Sequence, residues 1–216
     1  DTSKCISNEI LNKASSETNI FIESSLQSEN FIVKTDNIVF QVEFDQNFLI
    51  NEEWSSSKFN FIIIDGFIQE VSEIHHLLTQ ASENKEDYVI FCKGASDDVK
   101  NTIYVNLKRK IINVFPIILK VNEENVNILN DIAACLGANI VSALQGDTIS
   151  QRVNQKLDIG NNIKINKNSF VLKCTEKNYL DRQKLFLKRK ITNINADDPN
   201  FPYLTKRIKN LESKKL

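Results

Sequence analysis

Two histidines and four cysteines are the residues of this sequence whose spacing could indicate a transition-metal site. His75 and His76 are neighbours, and neighbouring side chains on a helix point about 100° apart, so they would not chelate one metal as residues four apart do. The cysteines form no CxxC or other close-spaced pattern: Cys5, Cys92, Cys135 and Cys174. This spacing is typical of reduced cysteines in an intracellular, reducing compartment, and the sequence predicts no metal site.

A catalytic acid has one candidate position. Asp65-Gly66 follows the apolar run 59–64 (FNFIII), where α/β enzymes often place such a residue. The same pair is typical of turns, and we interpret it as a turn. Neither Gly137 nor Gly146 belongs to a dinucleotide-binding or phosphate-loop fingerprint, and no Ser/His/Asp or Cys/His set is visible. The sequence therefore predicts no enzyme.

Two basic clusters could bind nucleic acid. They are Lys108-Arg109-Lys110 and Lys188-Arg189-Lys190, each near the predicted C-terminal end of a helix, where cations stabilise exposed carbonyl groups. The chain has 27 Lys and Arg against 28 Asp and Glu, so its net charge of −1 provides no general attraction to nucleic acid or anionic membrane. No apolar run approaches the roughly 20 residues that span a bilayer. We expect neither a nucleic-acid nor a membrane partner, and nucleic-acid binding stays open as a lesser hypothesis.

The elements that would position these residues alternate between strand and helix. The start is rich in strands over 20–48, and a polar segment, 1–18, precedes it. The fold class predicted is a mixed α/β domain with a helical tail. Further strands are predicted at 59–64, 88–92, 113–121 (where Pro116 favours an edge or a bulge) and 139–143, helices at 68–82, 126–136 (ended by Gly137), 177–194 and 201–213, and a hairpin at 161–174 with Lys167-Asn168 at its turn.

The segment 97–110 (DDVKNTIYVNLKRK) predicts a helix with two apolar surfaces. Ser96 or Asp97 can cap it, and its inward stripe repeats every four residues: Val99, Ile103 and Leu107. Tyr104 and Val105 fall well off this stripe. This second surface is leftover core, one wall of a partner-binding groove, or the aromatic part of a basic patch.

The order of the segments resembles the apical domain of group I chaperonins, the GroEL family, over nearly the whole chain. Each segment is similar to one in the family, with similar gaps between them. The similar segments are VEFDQNFLIN (42–51), FNFIIIDGFIQEVSEIHHLL (59–78), YVIFCKGASDDVKNTIYVN (88–106), DIAACLGANIVS (131–142), NIKINKNSFVL (162–172) and the closing pair of helices (181–211).

The resemblance implies a chaperonin apical-domain-like fold of β-sheets flanked by helices, with a C-terminal helical pair. It implies a connecting segment at 1–18, an apical domain at 19–195 and a helix toward the intermediate domain at 196–216. It also implies that a groove between two helices binds non-native polypeptides and the mobile loop of a co-chaperonin. Carried over position by position, the groove residues are Phe48, His75, Leu78, Lys100, Tyr104, Val105 and Asn106.

Two departures from the family pattern affect this groove. His75 and Lys100 stand where the family has leucine, and the family's first aromatic segment is shortened after Phe48. The groove is therefore expected to be more polar than in the family. A chaperonin-like assembly or scaffold subunit with a decayed client groove is the alternative.

The absence of Met, even at position 1, leads us to expect an excised domain or a processed fragment. The resemblance implies that a full-length subunit binds ATP and Mg²⁺ through an equatorial domain, supports ATP-driven folding and forms a ring with other subunits. This fragment by itself is expected to bind no cofactor, to hydrolyse no ATP and to be a monomer. The abundance of Asn, Ile and Lys suits an organelle matrix (mitochondrion or plastid), while the cytoplasm stays open.

Overall fold

The structure is a computed structural model, and it describes residues 18–19, 37–120, 122, 126–212 and 214–215. The chain divides into two compact units. The first comprises Asp1–Val39 with Asp181–Leu216, and the second comprises Phe40–Leu180. The strands expected over 20–36 and the segment 1–17 lie outside the described residues. The domain boundaries expected at 18/19 and 195/196 stay predictions.

The described residues form a main sheet of six strands. In sheet order they are β2 (Ile38–Gln41), β7 (Ser169–Leu172), β6 (Asp158–Asn166), β3 (Trp54–Ile68), β4 (Asp87–Ala95) and β5 (Asn113–Ile118). Strands β3, β4 and β5 are parallel, whereas β6 runs antiparallel to both β3 and β7. This mixed sheet with helices confirms the predicted α/β class.

The buried centre of this sheet explains the apolar runs of the sequence. Ile63 in β3, together with Val89 and Phe91 in β4, is at most 1% exposed. Strands covered on both faces need apolar residues at every position, so the runs 59–64 and 88–92 are strands as predicted. β5 is the last strand of the described sheet, and this edge position accommodates Pro116 because an edge strand need not use every N–H group.

The interpretation of Asp65-Gly66 as a turn is wrong. β3 continues through both residues to Ile68, and the pairing with β4 shifts between Ile64 and Phe67, which marks a bulge. Asp65 forms an ion pair with Lys93 on the neighbouring strand. A bulge needs an extra residue rather than a reversal of the chain, and the same small or polar residues suit both.

Two helices lie side by side next to this sheet. They are α1 (Val71–Asn84), between β3 and β4, and α2 (Asp97–Lys108), between β4 and β5. Both crossovers join parallel strands in the same direction, and such crossovers are almost always right-handed, so both helices lie on one face of the sheet. The helices contact each other, and both contact β5. Their C-terminal ends therefore lie together, beside the start of β3, β4 and β5.

Two further helices and a hairpin follow β5. Helix α3 (Ile128–Leu136) packs against β3, and Gly137 ends it with φ of 68°, as its predicted role requires. The strand expected at 139–143 is reduced to one bridge between Val141 and Ile64. A short helix α4 (Ile149–Val153) packs against α1, and the β6–β7 hairpin turns at 167–168 as predicted.

The first unit contains the helical tail. Most of α5 (Lys177–Thr192) and all of α6 (Phe201–Glu212) belong to it, close to the predicted bounds. Its described part also includes a two-stranded parallel sheet of β1 (Thr18–Asn19) and β8 (Lys214–Lys215). None of the described helices is long and apolar enough to cross a membrane.

Candidate functional site

Helix α2 has a buried face and an apolar outer face, as the sequence indicates. Ser96 caps it by accepting a hydrogen bond from the Val99 backbone N–H at 3.3 Å. The inward stripe is confirmed, because Val99, Ile103 and Leu107 are all at most 7% exposed. Val105 is 41% exposed, and Tyr104 is half-buried. The second apolar surface is therefore not core.

The outer face of α1 adds one apolar and one polar side chain at the predicted positions. Ile74 and Leu77 are fully buried, whereas Leu78 is half-buried and His75 is exposed. Five of the predicted groove residues stay at least partly exposed on these helices, and we call the surface that they form the α1/α2 groove: His75, Leu78, Lys100, Tyr104 and Val105. Leu78 and Val105 supply its apolar part, and His75 makes it more polar than a leucine would.

Lys100 connects α2 to the segment before β3. Its ammonium group lies 3.9 Å from a carboxylate oxygen of Asp45 and 3.8 Å from one of Asp97. Asp45 in turn caps a short 3-10 helix, Gln46–Phe48, by accepting from the Asn47 backbone N–H at 3.0 Å. Phe48 is only 2% exposed, so in this conformation it lies beneath the surface instead of presenting a ring to a ligand.

Asn106 and Lys108 complete the outer surface of α2. The Asn106 side-chain N–H donates to the Thr102 carbonyl oxygen at 2.8 Å, within the same helix. The Lys108 ammonium lies 5.7 Å from the centre of the Tyr104 ring, a distance typical of a cation–π contact. Both side chains thus have local partners that hold them along the helix.

A cavity of about 380 Å³ lies where α1 and α2 end. Its floor consists of the buried side chains of Phe48, Ala81, Leu107 and Ile112. Ala81 follows Ile74 and Leu77 on the buried face of α1 and contributes only a methyl group to this floor. The other residues that line it are Ile50, Asn51, Glu53, Trp54, Lys85, Lys110, Ile111 and Asn113.

Polar contacts hold the wall of this cavity. The Trp54 indole N–H donates to the Asn113 side-chain oxygen at 3.1 Å, and the Trp54 ring packs against Phe115. Lys85 donates to the Ile111 carbonyl oxygen at 3.1 Å, which joins the end of α1 to the loop after α2. These contacts fix the positions of three side chains that line the cavity: Trp54, Lys85 and Asn113.

The described residues contain no cluster of three or more metal-ligating side chains. The pKa of the Cys92 thiol is raised to about 12, mainly by burial. A hydrogen bond with the Gly94 backbone acts in the opposite direction and is the smaller effect. A hydrogen bond with the Cys174 thiol, followed by burial, raises the pKa of Cys135 well above its usual range. Neutral, buried thiols are poor nucleophiles, so neither cysteine resembles a reactive centre.

Sequence patterns located the helices of the site but not the cavity. Two features of the sequence could have indicated the cavity. Trp54 is the only tryptophan of the chain, and Ala81 is a small residue that continues an apolar stripe. Asp45 was missed because its partner Lys100 is distant in sequence. Of the predicted groove residues, the structure places five on the outer part of α1 and α2, at positions 75, 78, 100, 104 and 105. Asn106 bonds along its own helix, and Phe48 is buried.

Comparisons with known proteins point to chaperonins. Chaperonin 60 subunit alpha 2, chloroplastic, from Arabidopsis thaliana is 26% identical over 155 residues, which is 69% of this chain and 27% of the relative. No family model matches the chain. The chain therefore resembles this relative over only part of the relative's length.

Two solved structures share the fold. Both are of the chaperonin gp146 from the bacteriophage EL 2 (Pseudomonas aeruginosa), in the presence of ATP-BeFx, and both are 13% identical to this chain. The first match has a TM-score of 0.71 and covers 100% of this chain and 44% of the solved chain. The second has a TM-score of 0.66 and covers 99% of this chain and 43% of the solved chain. The predicted chaperonin-like fold is thus confirmed, and the chain spans less than half the length of the proteins that it matches.

Proposed function

We propose that this chain is the polypeptide-binding domain of a divergent chaperonin subunit, and that it captures non-native segments in the α1/α2 groove. The observation that carries the proposal is the outer face of α2. Tyr104 and Val105 stay accessible on a helix that already buries a complete apolar stripe. A surface helix folds with one apolar face, which is buried against the rest of the domain. A second apolar face that stays exposed is typical of a binding surface.

The groove suits ligands without a fixed sequence. Burial of apolar surface stabilises a complex by about 25 cal/mol per Å² and demands little beyond an apolar side chain at the right spacing. The mobile loop of a co-chaperonin would bind the same surface. A ring of such subunits would supply ATP and Mg²⁺ binding through parts other than this domain, in an organelle matrix or the cytoplasm.

The groove is tested with the double variant Tyr104→Ala/Val105→Ser. We expect it to bind a permanently unfolded, carboxymethylated protein about tenfold more weakly than the unmodified chain, because tenfold corresponds to about 1.4 kcal/mol of lost apolar burial. Ile159→Ser is the matched control. Ile159 is also 41% exposed but lies on β6. The measurement is fluorescence anisotropy of the labelled unfolded protein.

Equal affinity of the double variant and the unmodified chain would contradict the proposal. A loss of affinity in Ile159→Ser of the same size would also contradict it, because binding would then follow general surface hydrophobicity. Circular dichroism of all variants shows whether the fold is intact. Binding of a co-chaperonin loop peptide, measured in the same way, tests the second ligand.

A second candidate is an assembly or scaffold role with a decayed client groove. Exposed His75 and the ion pair of Lys100 with Asp45 favour it, because both reduce the apolar area of the groove. This hypothesis predicts that the chain does not suppress aggregation of a chemically denatured enzyme diluted from denaturant. Suppression by the unmodified chain, lost in the double variant, would reject it.

A further inference from the structure

We propose that the cavity between the ends of α1 and α2 binds a large apolar side chain of a polypeptide segment that carries acidic residues directly beside it. This inference deepens the proposed function and rests on it, because the occupant is a segment bound along the α1/α2 groove. It adds a selectivity that a plain apolar groove lacks.

The position of the cavity connects it to the groove. Ala81 lies three residues after Leu78 on α1, and Leu107 lies three residues after Tyr104 on α2, so each is one turn further along its helix. Both helices run in the same direction and end together. An extended segment in the groove would therefore reach the cavity as it passes the helix ends.

The size and lining of the cavity suit an apolar side chain. Its volume of about 380 Å³ lies at the lower end of the roughly 300–1,000 Å³ that is typical of ligand pockets. Ile50, which is 58% exposed, and Ile111, which is 38% exposed, extend the apolar wall from the buried floor to the mouth. An aromatic or large aliphatic side chain would cover both.

The charges at the mouth favour an acidic neighbour. Lys85 and Lys110 line the cavity, and the one lining carboxylate, Glu53, is paired with Lys164 at 2.8 Å. Among the described residues, no carboxylate lies within 4.0 Å of the Lys110 ammonium. Each helix C-terminus carries about half a negative charge, so the charge of the two lining lysines exceeds that of the two helix ends.

Trp54 provides a direct readout of the cavity. It is the only tryptophan of the chain, and it lines the wall, so a side chain that enters the cavity changes the surroundings of its ring. The test uses two synthetic peptides without Trp or Tyr. Both contain one phenylalanine, which has two aspartates beside it in the first peptide and two lysines in the second.

We expect the acidic peptide to change the Trp54 emission and to bind about fivefold more tightly than the basic one at physiological salt, because each exposed ion pair contributes modestly. Lys110→Glu should abolish or reverse this preference. Lys110 is exposed, so its exchange should leave the fold intact. Lys173→Glu, also exposed but outside the cavity, is the matched charge control and should keep the preference.

Ala81→Leu should fill the cavity and remove the change in Trp54 emission that the acidic peptide causes. The melting temperature of this variant shows whether it is folded. If this variant does not fold, Lys110→Glu decides the question alone. Equal affinity for both peptides in the unmodified chain, or a preference unchanged in Lys110→Glu, would overturn the inference.

The outcomes separate the cavity from the groove. If Tyr104→Ala/Val105→Ser loses both peptides while Lys110→Glu retains the preference, the groove stands and the cavity inference fails. If the double variant binds both peptides normally and Lys110→Glu loses the preference, the cavity binds peptides and the groove proposal fails.

Discussion

At the scale of single residues, Lys100 has a partner that its sequence position does not indicate. As a lysine at a leucine position it predicts a more polar groove. In the structure it is near two carboxylates, on Asp45 and Asp97, and its side chain is about one-third exposed. An exposed pair of this kind contributes little stability, so we expect the charge of Lys100 to matter mainly for what binds beside it.

Replacing Lys100 by leucine should strengthen binding of an apolar peptide by about fivefold, because apolar area then replaces a charged group in the α1/α2 groove. The measurement is isothermal titration calorimetry with one apolar peptide. Asp45→Asn is the control, since it removes the pair without adding apolar surface, and its affinity should stay within about twofold. An unchanged affinity in Lys100→Leu would show that this side chain lies outside the bound surface.

The burial of the Cys92 thiol can be tested by measuring how stability depends on pH. Its pKa rises from 9.0 to about 12, chiefly through burial, so the folded chain keeps the thiol protonated where the unfolded chain loses the proton. The resulting stability is complete below pH 9 and is lost as the pH rises from 9 toward 12. Tyr88, whose pKa burial also raises, acts in the same direction.

We expect urea unfolding to show a free energy that falls above pH 9, and less steeply in Cys92→Ala than in the unmodified chain. We also expect iodoacetamide to leave Cys92 unmodified in the folded chain at pH 8.5 and to modify it in urea, as peptide mass mapping would show. Rapid modification of the folded chain at Cys92 would contradict the burial that the structure gives it.

At the scale of elements, helix α2 was the most predictable part of the molecule. Its cap, its inward stripe and its acidic first turn all come from residues within a few positions of each other. The β6–β7 hairpin and the end of α3 at Gly137 were predictable for the same reason. Such features depend on local backbone geometry and not on distant contacts.

The cap of α2 can be tested by Ser96→Ala. Loss of the hydrogen bond to the Val99 N–H should lower the free energy of unfolding by about 1 kcal/mol, as measured by urea titration. Asn101→Ala, on the exposed face of the same helix, is the control and should leave the stability equal or slightly higher, because alanine favours helix. A Ser96→Ala variant as stable as the unmodified chain would show that another group caps the helix.

The length of β3 was less predictable. It extends to Ile68 because the bulge allows pairing with β4 to resume at Phe67, opposite Gly94. The Phe67 ring occupies the space that a Cβ at position 94 would need. The Phe67 ring therefore requires a glycine on the neighbouring strand. A sequence pattern within β3 does not predict this.

At the scale of the whole molecule, three side chains of the two basic clusters have partners nearby. Lys188 pairs with Glu212 on the next helix, Lys190 lies 4.8 Å from the centre of the Phe186 ring, and Lys108 lies over Tyr104. The net charge of −1 provides no long-range attraction to phosphate. Both clusters are thus consistent with stabilised helix ends.

We therefore expect no gel shift of a short single-stranded DNA or double-stranded RNA with about 10 μM protein at about 150 mM salt, because non-specific binding depends on the attraction of basic side chains to phosphates and weakens steeply with salt. The triple variant Lys108→Glu/Arg109→Glu/Lys110→Glu is the control. A shift with the unmodified chain that disappears in this variant would establish the first cluster as a nucleic-acid site.

The sequence by itself determined the alternation of strands and helices, the capped helix α2 and the presence of two apolar side chains on its outer face. These follow from propensities and periodicities that act over one or two turns. The tertiary structure decided that Lys100 reaches Asp45, that Phe48 is buried, and that Trp54, Ala81 and Leu107 enclose a cavity. These features depend on packing between segments that are distant in the chain, and a local sequence pattern does not predict that packing.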